Sequence, residues 1–468
     1  DLHRRRHSFP TRRSSDLYNT HKRLLPHAKP ALWGYMNEEL QKLAAELKPQ
    51  MVDFCQRLLR VPALSGEEKG VADLYLSEME KLGYDKVFRD DWGNVVGIVK
   101  GTVPGPTIMY NGHLDHVHPG DYSEWGGYDP YGGAVDINSM FNLDMTAEED
   151  AEVIHGRAAA DVKGGGAAAV YAGALLLALR HKGVAIKGDF VMTMVVFEES
   201  AEMLGMIKLL EETFPAHGIK PSACVSCEAT SLKLALGHRG RVEIKVTVQG
   251  VTSHGSAPWL GVNAVNMATK FIDRVEEVVK AEALHDAELG DSSIALTVIS
   301  CSPGAMCIVP DRCVITYDRR FPPQESPESC IAQIQRIIDE ILAADADFKA
   351  TVEVASQERV TYTGKAVTLP NQKEAYKLEQ NHPVAQACAA ALQSVGQPVK
   401  WRYWDFGTDL PVTHVRYKIP SIGYSGMQEF YCHRPVDKVR TDYLEKSIAG
   451  NAAIFFKLTD LATEDFAL

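Results

Sequence analysis

Apolar positions recur every three to four residues over 37–60 (Leu40, Leu43, Ala44, Leu47, Met51, Phe54, Leu58, Leu59), the spacing of one helix face. Ser65 with Glu67 and Glu68 reads as the start of a second helix that runs to Leu82 and stops at Gly83. Short apolar runs at 86–89, 95–99 and 107–110 read as strands. Periodicity then fades: 116–154 is rich in Gly, Asp and Tyr and reads as one long loop, which in a compact domain is usually functional. A helix over 167–181 follows Gly164-Gly165-Gly166. The segment 189–197 is almost wholly apolar, as a strand buried on both faces should be. A helix near 202–212 and a strand over 223–227 continue an alternation that predicts a doubly wound, largely parallel α/β sheet.

The pattern changes after Gly237. Residues 241–249 alternate strictly (Val242, Ile244, Val246, Val248), as in an antiparallel strand with one face covered. A helix over 262–283, strands near 294–299 and 314–320, a helix from Ser326-Pro327-Glu328 to 344, and a strand over 350–355 follow. This β-α-β-β-α-β order is ferredoxin-like. Longer α/β elements then return: helix 384–394, strands 400–404 and 421–424, and a final helix 441–461. The expected organisation is a tail over 1–36, a catalytic α/β domain in two parts (37–238 and 358–468), and an α+β domain over 239–357 inserted between them.

Composition narrows this picture. With 468 residues, 45% hydrophobic and 24% charged, the chain reads as an ordinary globular protein of more than one domain. No apolar run is expected to span a membrane, and a formal charge of −12 argues against nucleic acid as a partner. Nine cysteines without framework spacing read as reduced thiols of a cytoplasmic protein, Cys224-x-x-Cys227 included. Residues 1–17 carry five Arg and no apolar core. They are expected to be an artefact of the gene model, the rivals being a disordered basic arm or a transit peptide, and they are set aside from fold reasoning.

Candidate chemistry gathers at the predicted strand ends. His113 and Asp115 in Asn-Gly-His-Leu-Asp share one strand face because strand side chains repeat with period two. Asp161 precedes the glycine run, Glu198-Glu199 ends a buried strand, Glu228 ends another, and His433 lies in Tyr-Cys-His-Arg-Pro. Each alone has an ordinary use, as a helix-capping acid or a solvated strand end. Converging on one cleft, these carboxylates would repel unless cations neutralised them.

Those segments, with Gly-Arg-Ala-Ala-Ala-Asp-Val-Lys-Gly-Gly, Phe-Glu-Glu-Ser, Cys-Glu-Ala, Thr-Ser-His-Gly-Ser-Ala-Pro and Cys-His-Arg-Pro, fall in one order over about 40–465. The chain there resembles the two-zinc deacylase and exopeptidase family of acetylornithine deacetylase, succinyl-diaminopimelate desuccinylase, aminoacylase and glutamate carboxypeptidase. Within it the chain looks most similar to hydrolases linked to selenium metabolism. The resemblance implies that His113, Asp161 and Glu228 bind one zinc and that Asp161, Glu199 and His433 bind the other, with a cis peptide after the bridging Asp161. Cobalt or manganese would fit the same donors. It further implies that Asp115 orients the His113 ring. Glu198 would act as general base on a water or hydroxide held between the ions, which attacks an amide carbonyl.

The resemblance also makes 239–357 a lid and dimerisation domain. His254 would there reach the partner subunit's site in a homodimer, Arg320 would grip a substrate carboxylate, and Gly407-Thr408-Asp409 would line the pocket. The implied activity is amide hydrolysis in a small carboxylate-bearing metabolite, by a deacylase or a dipeptidase. The alternative is a non-catalytic metabolite-binding or regulatory protein on the same fold. Two features depart from the family: Cys307 stands three residues before Pro310 where many relatives carry Asn, and His116 and His118 replace apolar residues or proline. The two histidines are expected to be exposed.

Overall fold

Four parallel strands with almost fully buried side chains form the centre of the molecule: Phe190–Val195, Thr107–His113, Pro221–Ser226 and Ser421–Gly423, adjacent in that order. Antiparallel strands finish the sheet on both sides, Val95–Val99 and Lys86–Arg89 on one, Leu234–His238 and Tyr376–Lys377 on the other. Trp401–Trp404 runs parallel to Leu234–His238. The computed structural model describes residues 29–200 and 203–468, so the segment 1–17 lies outside the described residues.

Helices cover both faces of the sheet, as its two-sided burial requires. Lys29–Leu59, Lys69–Leu82, Gly164–His181, Pro383–Ser394 and Thr441–Thr459 share one apolar core with it. The helical segment from Leu204 to His217 packs with Met109, Val191, Trp404 and Leu410 on the other face. The stretch Ala159–His181 is long and apolar enough to cross a membrane, against the expectation from the sequence, but 94% of its most apolar window is buried inside the molecule. Its hydrophobicity is that of a core helix.

The first helix begins at Lys29, inside the expected tail. The second begins at Lys69 with Glu68 as its N-cap, because Ser65 is committed elsewhere: its hydroxyl donates to Asp115. The stretch 116–154, expected as a loop, holds an antiparallel hairpin of Val135–Phe141 and Glu148–His155, to which Lys438–Arg440 adds a third strand. Val135 and Ile137 are exposed, the second strand is acidic over Glu148, Glu149, Asp150 and Glu152, and only Met140, Ala151, Val153, Ile154 and His155 are buried, so no apolar alternation registers.

The inserted domain follows its pattern closely. Its antiparallel sheet has the order Ser293–Ser302, Arg312–Phe321, Gly240–Gln249, Lys349–Val354, and the helices Ala264–Ala281 and Pro327–Ala344 cover one face. Asn263 and Ser326 cap those helices, the latter with Pro327 next to it as predicted. The chain then makes an unforeseen hairpin, Ser356–Val360 with Ala366–Pro370. Tyr362 anchors this hairpin to the α/β domain by donating to the Gly93 carbonyl at 2.6 Å. Gln372–Lys373 then pairs with Val242 and Arg241 at the foot of the inserted sheet.

Candidate metal centre

Parallel strands place their carboxyl ends on one edge of a sheet, and open α/β folds keep their sites there. His113 ends the central strand beside Val195, whose strand leads into Glu198 and Glu199; Asn111 lies beside Ser226, whose strand leads into Glu228. Asp161 sits in an irregular turn at the start of Gly164–His181, with φ −155° and ψ 89°, and the Asp161–Val162 peptide is cis as expected. The glycines that follow let this helix start press on the Glu228 strand: a Cβ on Gly165 would lie 2.3 Å from the Cys227 carbonyl oxygen. His433 arrives on a loop in the left-handed region, φ 59°.

The distances sort these side chains into two groups that share Asp161. His113 Nε2 lies 3.1 Å from Asp161 Oδ1 and 3.6 Å from Glu228 Oε1. His433 Nε2 lies 3.1 Å from Asp161 Oδ2 and 3.0 Å from Glu199 Oε2. Glu198 offers an oxygen within 4.8 Å of ligand atoms of His113 and Glu228, as Glu199 does to His113 and Asp161. Burial and Asp161 push the Glu199 carboxyl up to about 7 and raise Glu228 well above the carboxylate range. The contacts with Asp161 and Glu199 raise His433 to about 11. Packed carboxylates of this kind take up positive charge, as protons or as cations. Imidazole and carboxylate donors suit divalent zinc-like ions, and the buried Glu228 Oε2 has no hydrogen-bond partner, as an oxygen reserved for a cation would.

Asp115 serves four neighbours. The His113 ring meets the Asp115 backbone oxygen at 2.9 Å through Nδ1, with a carboxylate oxygen 3.5 Å away. Its carboxylate accepts from Ser65 Oγ at 2.6 Å and from the Glu198 and Glu199 N–H groups, both at 3.1 Å. It therefore fixes the backbone that presents those two glutamates.

A cleft of about 1010 Å³ opens over this centre. Arg320 lines it while paired with Asp318 at 2.6 Å, and Arg241 shares the same carboxylate at 2.8 Å. Gly407 also lines it, but Thr408 and Asp409, expected at the wall, are buried one layer behind, so the pocket-lining expectation is corrected for both. Thr408 faces the His238 ring, and burial raises Asp409 to about 8. His254 is exposed on the inserted domain, its Nδ1 accepting from the Ser256 N–H at 3.1 Å, away from the cleft of its own chain. His116 is buried rather than exposed: its Nε2 accepts the Ala63 N–H at 2.8 Å, and burial lowers its pKa to about 3. His118 is exposed as expected, and Cys224 and Cys227 are buried free thiols.

Two buried polar groups of the site carry no sequence signal. Lys373 donates to Glu198 Oε1 at 2.6 Å, both side chains being nearly inaccessible. Asp437 accepts from the Ala158 and Ala160 N–H groups at 2.7 and 2.9 Å and pairs with Arg157 at 3.2 Å, tying the Asp161 turn to the loop of His433.

Residues 236–346 match the model of the peptidase dimerisation domain of M20 proteins. An uncharacterised Escherichia coli K12 protein, YgeY, is 30% identical over 423 residues, covering 90% of this chain and 97% of its own. The aminopeptidase PepT of Bacillus cereus superposes with a TM-score of 0.65 at 19% identity over 88% of this chain and 98% of its own. Bacillus subtilis YXEP, described as a dinuclear metal-binding peptidase of the M20 family, does so with 0.60 at 15% over 89% and 99%. The chain belongs to the M20 metallopeptidase family.

Proposed function

We propose that the protein is a binuclear, zinc-loaded hydrolase that cleaves an amide bond in a small carboxylate-bearing metabolite, as a deacylase or dipeptidase. The observation that carries this reading is the sorting of five ligand side chains into two groups around Asp161, with Glu198 beside them on the same cleft. His113, Asp161 and Glu228 would hold one ion, and Asp161, Glu199 and His433 the other. Two such ions supply Lewis acidity for a carbonyl and lower the pKa of a water. Glu198 acts as the proton carrier: Lys373 holds Oε1, which leaves Oε2 to take the proton of the attacking water and pass it to the leaving amine. Arg320 takes a substrate carboxylate in its planar fork while Asp318 fixes its aim. His254, exposed and away from its own cleft, acts in the site of a second copy. The chain works as a homodimer joined through the unpaired edge strand Ser293–Ser302.

Elemental analysis of the purified protein, alongside a screen of N-acyl amino acids and dipeptides, tests this. Two zinc-like ions per chain with turnover of an amide are expected. No retained metal after reconstitution with zinc or cobalt overturns it.

A further inference from the structure

The charges around the cleft do not cancel evenly. At the foot of the inserted domain Arg241 and Arg320 share Asp318, and Arg241 also reaches Glu243 at 3.5 Å. Lys373 is matched by Glu198. The wall formed by the catalytic domain differs. Arg402 pairs with Glu429, but Lys233 and Arg434 have no carboxylate within salt-bridge reach among the described residues, although both line the cleft.

These three cations form a connected group. Lys233 precedes the strand Leu234–His238, and Arg402 lies on the strand paired beside it, opposite Ala235. Glu429, the partner of Arg402, is followed by Phe430, and the Arg434 guanidinium stacks 4.0 Å above that ring. Burial and the nearby Arg402 lower the pKa of Lys233 against a weaker opposing pull from Asp144, so an anion placed beside it would be favoured. The group flanks the metal centre on the side of Glu228 and His433, five residues past the first and one past the second.

We propose that Lys233, Arg402 and Arg434 form a second anion subsite, so that the substrate is an amide bearing two carboxylates, one met by Arg320 and one by this wall. This rests on the hydrolase reading for the word substrate, but not for the binding it predicts. A cation pair with no salt-bridged carboxylate, lining a cleft, recognises an anion at reduced entropic cost once Phe430 has fixed one guanidinium. A substrate with a single carboxylate would leave Lys233 and Arg434 facing water.

The test is calorimetric titration of the zinc-reconstituted protein with glutarate and with butyrate, which differ by one carboxylate. Glutarate should bind at least tenfold more tightly. In Lys233→Met and in Arg434→Gln that advantage should fall at least fivefold. Arg434 is exposed, so its variant keeps the test open if Lys233→Met folds poorly. Equal affinity of the two acids overturns the proposal. So does an advantage that survives in both variants, since the second carboxylate would then belong to the Arg241–Arg320 group. Failure of the hydrolase reading shows separately, as absence of turnover in protein that still distinguishes the two acids.

Discussion

The catalytic and inserted domains are each incomplete, in opposite ways. The catalytic domain is finished as a packed body: its central strands are buried on both faces and helices cover both sides. Its electrostatics are unfinished, with Asp161, Glu198, Glu199 and Glu228 crowded at one sheet edge. The inserted domain is finished electrostatically, its helices laced by exposed pairs such as Arg274–Glu340 and Arg336–Glu282, each worth little by itself. Its packing is unfinished, since Ser293–Ser302 is an edge strand with Val298 and Ile299 about half exposed, and Trp259 elsewhere in the domain is 77% exposed. One domain therefore calls for cations and the other for a partner surface. The experiments below test whether those two needs are separate.

The largest expected effect is at the electrostatically unfinished edge. Glu198→Gln keeps the shape of the side chain and removes its basicity, so kcat on the substrate found by screening should fall by roughly 10²- to 10⁴-fold. The metal content should stay at the wild-type value if, as proposed, the two ions are held by the other five side chains. Loss of metal together with activity would make Glu198 a ligand, as its closeness to His113 and Glu228 also permits.

At the other unfinished surface, Val298→Lys places a charge on the exposed edge strand without touching the domain's core. Light scattering should give half the wild-type mass. Activity should fall roughly 10²-fold, the usual effect of losing one transition-state donor, since His254 lies away from its own cleft. A monomer with full activity would break the link between the two domains. An unchanged mass would move the interface elsewhere.

The two domains also differed in how far the sequence disclosed them. Strict alternation in 241–249 and the Ser326-Pro327 cap announced the inserted domain because each of its elements has one wet face. In the catalytic domain the candidate ligands were legible because His113, Glu198, Glu199 and Glu228 end or follow apolar strands, Asp161 precedes a glycine run and all fall in a recognisable order with His433. The hairpin over 135–155 was not, because apolar Val135 and Ile137 face outward in one strand, the other is acidic over 148–150, and few positions are buried. Lys373 and Asp437 were invisible for a different reason. Each acts through long-range contacts, Lys373 with Glu198 and Asp437 with the turn before Asp161, and nothing in the local pattern marks them. His116 misled because a histidine in a polar stretch usually faces water, whereas this one caps the Ala63 N–H in the interior.

A smaller effect tests buried histidines outside the candidate ligand set. His238 is fully buried; its Nδ1 donates to the Arg239 carbonyl at 2.8 Å and its Nε2 accepts the Thr408 N–H at 3.1 Å. That pattern fixes the neutral ring, since a proton on Nε2 would face the Thr408 N–H. Burial, with Lys373 nearby, lowers its pKa to about 3, and burial likewise lowers His414 to about 4. The unfolded chain binds these protons near pH 6.5, so the stability tied to each neutral ring is fully present above that pH. It is lost progressively as pH falls toward 4, by at most roughly 1.4 kcal/mol per pH unit for each ring. His238→Gln keeps one donor and one acceptor but cannot charge. In chelator, where metal release contributes nothing, the wild-type melting midpoint should drop between pH 6.5 and 4.5 and that of His238→Gln should drop less. Parallel slopes in the two proteins would place the acid sensitivity among other groups and leave His238 as packing alone.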